Sequence, residues 1–228
     1  MSFNLLNKLI LYFRKPFSLE KLHPYLRRDG VNLLDIGCGN HAPTTTKSYY
    51  PRIQYYGLDR AKDYNLDSLD FAVMKAFYEV ELPDGNLKPV PVDFFDVIIM
   101  QHVIEHIPDG KNCLSGIIEK LKRNGIIYLE FPAERSTRLP RLKGGLFQGG
   151  LNFYDDPSHV NVYSRHEIEE ALKSCGCKIL NSGTRRSWKR IIFMSFYILY
   201  SLKEWRFING GAFWDLCGFA EYIVARKG

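Results

Sequence analysis

The sequence predicts an α/β fold in which helices cover both faces of a doubly wound, mostly parallel sheet. Two observations carry that expectation. Short apolar runs recur along the chain: "NLLDIG" (32–37), "IQYYGLD" (53–59), "KAFYEVEL" (75–82), "FFDVIIMQ" (94–101) and "IIYLEFP" (126–132). Several are almost wholly apolar, as strands buried on both faces are, and helix-like segments separate them.

The chain begins with "MSFNLLNKLILYFRK". Phe3, Leu6, Leu9, Ile10 and Phe13 recur at helical spacing, so an amphipathic helix is expected within a helical extension over 1–28. Lys8 breaks the apolar run and no small-residue cleavage site follows, which argues against a signal peptide. After the first strand, "PTTTKSYY" (43–50) reads as a helix with Pro43 in its first turn. "KAFYEVEL" closes on a Pro-Asp-Gly turn. "NCLSGIIEKLKRNG" (112–125) puts Leu114, Ile117, Ile118 and Leu121 on one face, and Gly125 is expected to stop that helix. A polar, glycine-rich loop covers 133–160. Ser164 and Glu167 then form a capping box for a helix over 164–176, with Ile168, Ala171 and Leu172 inward. "KILNSGT" and "AEYIVARKG" are the last two strands. Neither repeats nor a linker interrupt the chain, so residues 1–228 are expected to form one domain.

Composition narrows the function classes. A chain of 228 residues with 46% hydrophobic content can bury a substantial core. The net charge of +6 is mild but clustered, in "ERSTRLPRLK" (134–143) and "RRSWKR" (185–190). Such runs are solvated faces or contacts to an anionic substrate or membrane. No basic stripe interleaves with aromatics, so nucleic acid is not expected. Five cysteines at irregular spacing suit buried thiols in a reducing cytoplasm.

Parallel sheets bind ligands beyond the carboxyl ends of their strands. Function is therefore expected near 35–40, 59, 81 and 101–106, and just after 132. "LLDIGCGN" places Asp35 at a strand end, followed by Gly37 and Gly39, where the chain must turn sharply against a ligand. Asp59 ends the next strand, where an acid can grip both hydroxyls of a ribose. "GCGNHA" also fits a G-x-G-x-x-A dinucleotide fingerprint, which keeps a nicotinamide-dependent oxidoreductase in view. Asp35 weighs against it, because a carboxylate beside a pyrophosphate is repelled, whereas one beside an ammonium and a sulfonium is attracted.

Taken in order, these segments resemble the class I S-adenosylmethionine-dependent methyltransferases. "LLDIGCGN" resembles the first motif of that family, "YYGLD" the second, and "FYEVEL" the place of the adenine-contacting acid, here Glu81 where aspartate is more usual. "FFDVIIMQHVIEHI" resembles its fourth strand and the turn after it, and "LKRNGIIYLEFP" the helix and fifth strand that follow. "DPSHVNVYSRHEIEEALKSCGCKI" resembles its late segment. The likeness covers residue 31 onward. It implies a Rossmann-like sheet of order 3-2-1-4-5-7-6 with the seventh strand antiparallel. It also implies S-adenosyl-L-methionine as cofactor, with Asp35, Gly37, Gly39, Asp59, Glu81, Gln101 and His102 around it. A non-catalytic S-adenosylmethionine-binding protein remains the other alternative.

"QHVIEHIPDG" (101–110) spells H-x-x-E-H through His102, Glu105 and His106, the letters of an inverted zinc-protease motif. A zinc helix needs those residues on one stable face. Pro108 and Asp109-Gly110 cut the stretch short and no third ligand is evident, so no metal is expected. His106 and His159 are instead the candidates for a general base, the alternatives being a polar turn residue and a loop anchor. His23, His41 and His166 look peripheral. The acceptor is expected to be a hydroxyl of a sugar, glycan or small metabolite, because the family's members with this late segment often methylate such groups.

"RRSWKRIIFMSFYILYSLKEWRF" (185–207) sets four basic residues before an apolar run from Ile191 to Tyr200. That run is too short to span a bilayer, which takes about 20 residues. It belongs to a helical, apolar and basic insertion (185–218) before the last strand. Three placements are open for it: core, interface with a partner chain, or contact with an anionic membrane on its inner, cytoplasmic face.

Overall fold

The computed structural model describes residues 12, 14–62, 65–82, 87–142 and 144–228. The amphipathic helix expected over residues 3–13 and the Pro-Asp-Gly turn lie outside them, apart from Tyr12.

The described residues hold nine strands: β1 Asn32–Ile36, β2 Gln54–Asp59, β3 Ala76–Glu79, β4 Phe95–Gln101, β5 Leu121–Pro132, β6 Phe147–Gln148, β7 Cys177–Thr184, β8 Ile208–Asn209 and β9 Ala220–Lys227. Seven make one sheet, ordered β3-β2-β1-β4-β5-β9-β7, while β6 and β8 pair separately. Counting the large sheet alone, this is the expected order 3-2-1-4-5-7-6. The pairings among β1 to β5 are parallel, and β9 runs antiparallel to both of its neighbours. The fold is the Rossmann-like sheet that the resemblance implies.

Both faces are covered, which explains the apolar strands. On one face Leu34, Ile36, Ile98, Met100, Ile127 and Leu129 pack with residues of helices Gly110–Lys120 and Arg165–Ser174. On the other, Leu33, Tyr55, Val97, Ile99 and Tyr128 pack with Phe17, Leu19 and Leu26 of two short helices, Phe17–Lys21 and His23–Leu26, and with Leu22 between them. Asp35 and Glu130 belong to this second face by the strand's two-residue period. The capping box of Ser164 and Glu167 is present in both directions.

Two boundaries differ from expectation. The helix expected to reach Gly125 ends at Lys120, and Leu121 already pairs with Phe95 across the sheet. The left-handed residue in this reversal is Asn124, φ 62°. Gly125 is small for another reason: a Cβ there would sit 2.8 Å from the Lys122 carbonyl oxygen. The third strand stops at Glu79, so Glu81 lies beyond it.

The insertion folds as helices Trp188–Ile192, Met194–Trp205 and Trp214–Cys217. No helix among the described residues is long and apolar enough to cross a membrane. The basic run that opens the insertion is not simply a solvated face. Arg185 is buried, Lys189 pairs with Glu20 at 2.9 Å, and Arg190 lies 3.9 Å from Asp215.

Candidate functional site

The strand order reverses between β1 and β4, where connections leave in opposite directions and open a crevice at the carboxyl ends. Two turns meet there. Gly37 takes φ 77°, and a Cβ on it would fall 2.4 Å from Val103 Cγ2. Only glycine lets the first turn close against the turn that follows β4. The Gly37 amide donates to the Leu58 carbonyl at 2.8 Å. Asn40 and His41 also adopt left-handed backbone before helix Ala42–Tyr49 begins.

Asp59 at the end of β2 ties the same turn from the other side. Its Oδ2 accepts from the Gly39 amide at 3.2 Å, and its Oδ1 from the Arg60 amide at 2.8 Å. Each oxygen retains a lone pair, which suits a vicinal diol. Burial raises its pKa, and the amide hydrogen bonds oppose that rise. Asp35 lies within β1, 3% exposed, and accepts from the Tyr55 hydroxyl at 2.5 Å. Burial pushes its carboxyl up to about 7, against that hydrogen bond and with the nearby Asp59 adding to the rise. A buried carboxylate whose hydrogen-bond partner is neutral is suited to a cationic ligand. Glu81 is exposed, and no described contact ties it to this group.

The β4 end carries the second half. Gln101 closes the strand opposite Glu130 of β5. His102 follows with φ 52°, and its ring lies between two buried carboxylates, 3.3 Å from Glu105 and 3.2 Å from Glu130. Burial disfavours its charge, but those hydrogen bonds and charges win and raise its pKa to about 9. The two carboxylates thereby favour the charged form of the ring. Glu130 also accepts from Tyr128, and from Arg185 Nη1 at 2.9 Å. Arg185 Nη2 reaches Asp215 at 3.5 Å, and the Arg185 guanidinium lies over the Trp214 ring. Burial would push Glu130 up; Arg185 and His102 overcome it and hold the carboxyl at about 2.

A chain of alternating charges thus runs Glu105, His102, Glu130, Arg185, Asp215. Sequence reasoning found only His102 within it as a site residue. Glu130 had a signal, the single acid within "IIYLEFP"; Arg185 and Asp215 had none, being one of several basic residues and an ordinary helix acid.

His106 and His159, far apart in sequence, lie with ring centroids 4.7 Å apart. The turn Ile104–His106 holds the later loop in place: the Val160 and Asn161 amides donate to the Glu105 carbonyl at 2.9 and 3.1 Å. His159 Nδ1 lies 2.6 Å from the Phe153 carbonyl, so this residue does anchor its loop.

A family model described as a methyltransferase domain matches residues 10–182, and the chain belongs to that family. With the fold, this makes it a class I methyltransferase, the class that takes its methyl group from S-adenosylmethionine. Among solved structures, a methyltransferase from Archaeoglobus fulgidus described as SAM dependent shares 19% identity, covering 96% of this chain and 94% of that one, with a TM-score of 0.57. An S-adenosylmethionine-dependent methyltransferase from Mesorhizobium loti shares 14%, covering 94% and 100%, with a TM-score of 0.63. Phosphoethanolamine N-methyltransferase 2 of Haemonchus contortus, in complex with S-adenosyl-L-methionine, shares 16%, covering 92% of this chain but 51% of that one, at 0.60. At such identities the likeness is one of fold. A search of curated proteins finds no match.

Proposed function

We propose that this methyltransferase acts on a hydroxyl of a sugar, glycan or small metabolite. The observation that carries the cofactor half of this reading is the joint made by Gly37, Gly39 and Asp59 against the turn after β4. When bound, S-adenosylmethionine supplies an electrophilic methyl group on a sulfonium. In this reading Asp59 holds the ribose hydroxyls, and Asp35 answers the ammonium of the methionine part. Gln101 and His102 border that part, with Glu81 beside the adenine. Gly37 and Gly39 let the backbone approach.

The hydroxyl half rests on the paired imidazoles. A hydroxyl acceptor needs its proton removed as the methyl arrives, and imidazole suits that task. His106 and His159 are proposed for it. The Phe153 carbonyl accepts a proton held on His159 Nδ1, which leaves Nε2 as the basic nitrogen. Arg135 and Arg138, exposed in the loop after β5, suit an acceptor that also carries a carboxylate or phosphate.

The exposed apolar residues of the insertion favour a membrane-borne acceptor. Trp188, Ile192, Phe196 and Leu199 are each more than 60% exposed. Lys189 of this segment also meets Glu20 and the Tyr12 ring, which joins the insertion to the N-terminal region. The proposed location is the cytoplasmic face of an anionic membrane.

The test is a methyl-transfer screen with labelled cofactor against sugars, lipid-linked glycans and cell extract. Label on a hydroxyl supports the proposal. Label only on nitrogen overturns the acceptor class. Cofactor binding with no transfer to any acceptor points to a non-catalytic binding protein.

A further inference from the structure

We infer that Glu105, His106 and His159 form a binding site for one divalent first-row transition cation of the zinc kind. One ligand atom from each of the three lies within 4.8 Å of the others. Bonds of about 2.0–2.1 Å to a tetrahedral ion would place ligand atoms about 3.3 Å apart, so a bound ion would draw these atoms together by about 1.5 Å at most.

A second observation points to a ligand independently of this clustering. Glu105 is 1% exposed, and its Oε2 has no hydrogen-bond partner among the described residues. A buried carboxylate oxygen without a partner is costly, and a cation is one remedy. The other oxygen, Oε1, is 3.3 Å from His102 Nδ1 and 3.9 Å from His159 Nε2.

The imidazoles are also prepared as ligands. A backbone carbonyl only accepts, so the Phe153 carbonyl fixes the proton of His159 on Nδ1. At His106 the Ser158 carbonyl lies 3.3 Å from Nδ1 and the Ser158 hydroxyl, which donates its own proton to Asp156 Oδ1, lies 3.0 Å from it, so both accept and the proton sits on Nδ1. Each ring then offers Nε2, oriented by a hydrogen bond behind it, as metal-binding histidines are. Asp156 Oδ2, 3.9 Å from His159 Nε2, is near enough to add a fourth ligand. The other such group, His41, Asp67 and Asp70, lacks this signal: the buried Asp70 already accepts from His41, Thr44 and the Asp67 amide.

The expectation of no metal rested on the lack of an evident third ligand beside the H-x-x-E-H stretch. The third ligand absent from the H-x-x-E-H stretch comes from the loop that packs on it. One consequence rests on the function proposed above: an acceptor oxygen bound to the cation ionises more easily, its proton passing to water, and no imidazole base is then needed.

The test measures metal alone, without cofactor or acceptor, so its failure is separate from failure of the methyl-transfer reading. Full-length protein stripped by chelator is titrated calorimetrically with Zn²⁺. One ion per chain is expected, with affinity lowered tenfold or more in His106→Ala and in His159→Ala, and unchanged in His41→Ala. Less than one ion per chain, or unchanged affinity in both site variants, overturns the site. Should those variants fail to fold, Co²⁺ added to the wild-type protein decides: visible absorption bands of a nitrogen- and oxygen-ligated ion support the site, and the spectrum of the hydrated ion refutes it.

Discussion

Asp35 and Glu130 lie on the same face of one sheet, and each is 3% exposed. Burial pushes both carboxyls upward. Asp35 stays up, at about 7, because Tyr55 is neutral and Asp59 adds like charge. Glu130 is brought down to about 2 because Arg185 and His102 stand against it. Depth in the protein does not decide the charge of a group; the company it keeps does. In the β4–β5 half Glu130 already has its cationic partners, Arg185 and His102. In the β1–β2 half no cation answers Asp35 among the described residues, which is why it is proposed to meet the cofactor's ammonium.

Removing the Arg185 cation should have the largest effect. Arg185→Met leaves Glu130 and Asp215 buried without it, and breaking such a pair costs about 3–5 kcal/mol. Urea unfolding should show that loss, and Arg185→Met with Glu130→Gln should recover part of it. A single variant as stable as wild type would dissolve the contrast between the halves.

Next comes the ligand half. Asp59→Ala should weaken S-adenosylmethionine binding by about 1.5–3 kcal/mol, the range for hydrogen bonds to a charged group. Calorimetry that finds unchanged affinity would remove Asp59 from the cofactor site.

The comparison also predicts opposite pH behaviour. Asp35 has a raised pKa, so its contribution to stability is full below its ordinary value of 3.8 and is lost as pH rises through about 7. Glu130 has a lowered pKa, so its contribution is present above 4.5 and is lost as pH falls through about 2. At pH 8, Asp35→Asn should therefore stabilise the cofactor-free protein and Glu130→Gln destabilise it. Cofactor affinity should fall up to about tenfold per unit as pH drops below 7, and Asp35→Asn should flatten that slope. A slope that survives in the variant belongs to another group.

The smallest effect concerns the insertion. Basic residues near an anionic surface contribute about 1 kcal/mol each, and salt weakens them. Co-sedimentation with anionic vesicles but not neutral ones is expected, with less at high salt. Binding to neither vesicle by a monomer would leave the exposed apolar residues without a membrane role. A dimer that loses its contact on Phe196→Ser would assign them to a partner chain.

The fold was legible where local chemistry repeats. Apolar strands such as "FFDVIIMQ" announce burial on both faces, and the Ser164–Glu167 box marks its helix in the letters themselves. The end of the helix at Lys120 was not legible, because Leu121 suits either a helix face or a strand, and only pairing with Phe95 decides. The glycine turn could be read because its spacing is local. The ion chain could not, since Glu130, Arg185 and Asp215 meet only through tertiary packing. The same holds for His159, which joins Glu105 through amides from a distant loop.

The antiparallel strand β9 has a consequence for biosynthesis. It lies between β5 and β7 and bonds to both, although residues 220–227 leave the ribosome after either neighbour. Until they emerge, β5 and β7 each present an unpaired edge that invites contact with other nascent chains. Those edges can first be sealed together only when β9 arrives, so a chain stalled before residue 220 would keep both edges open.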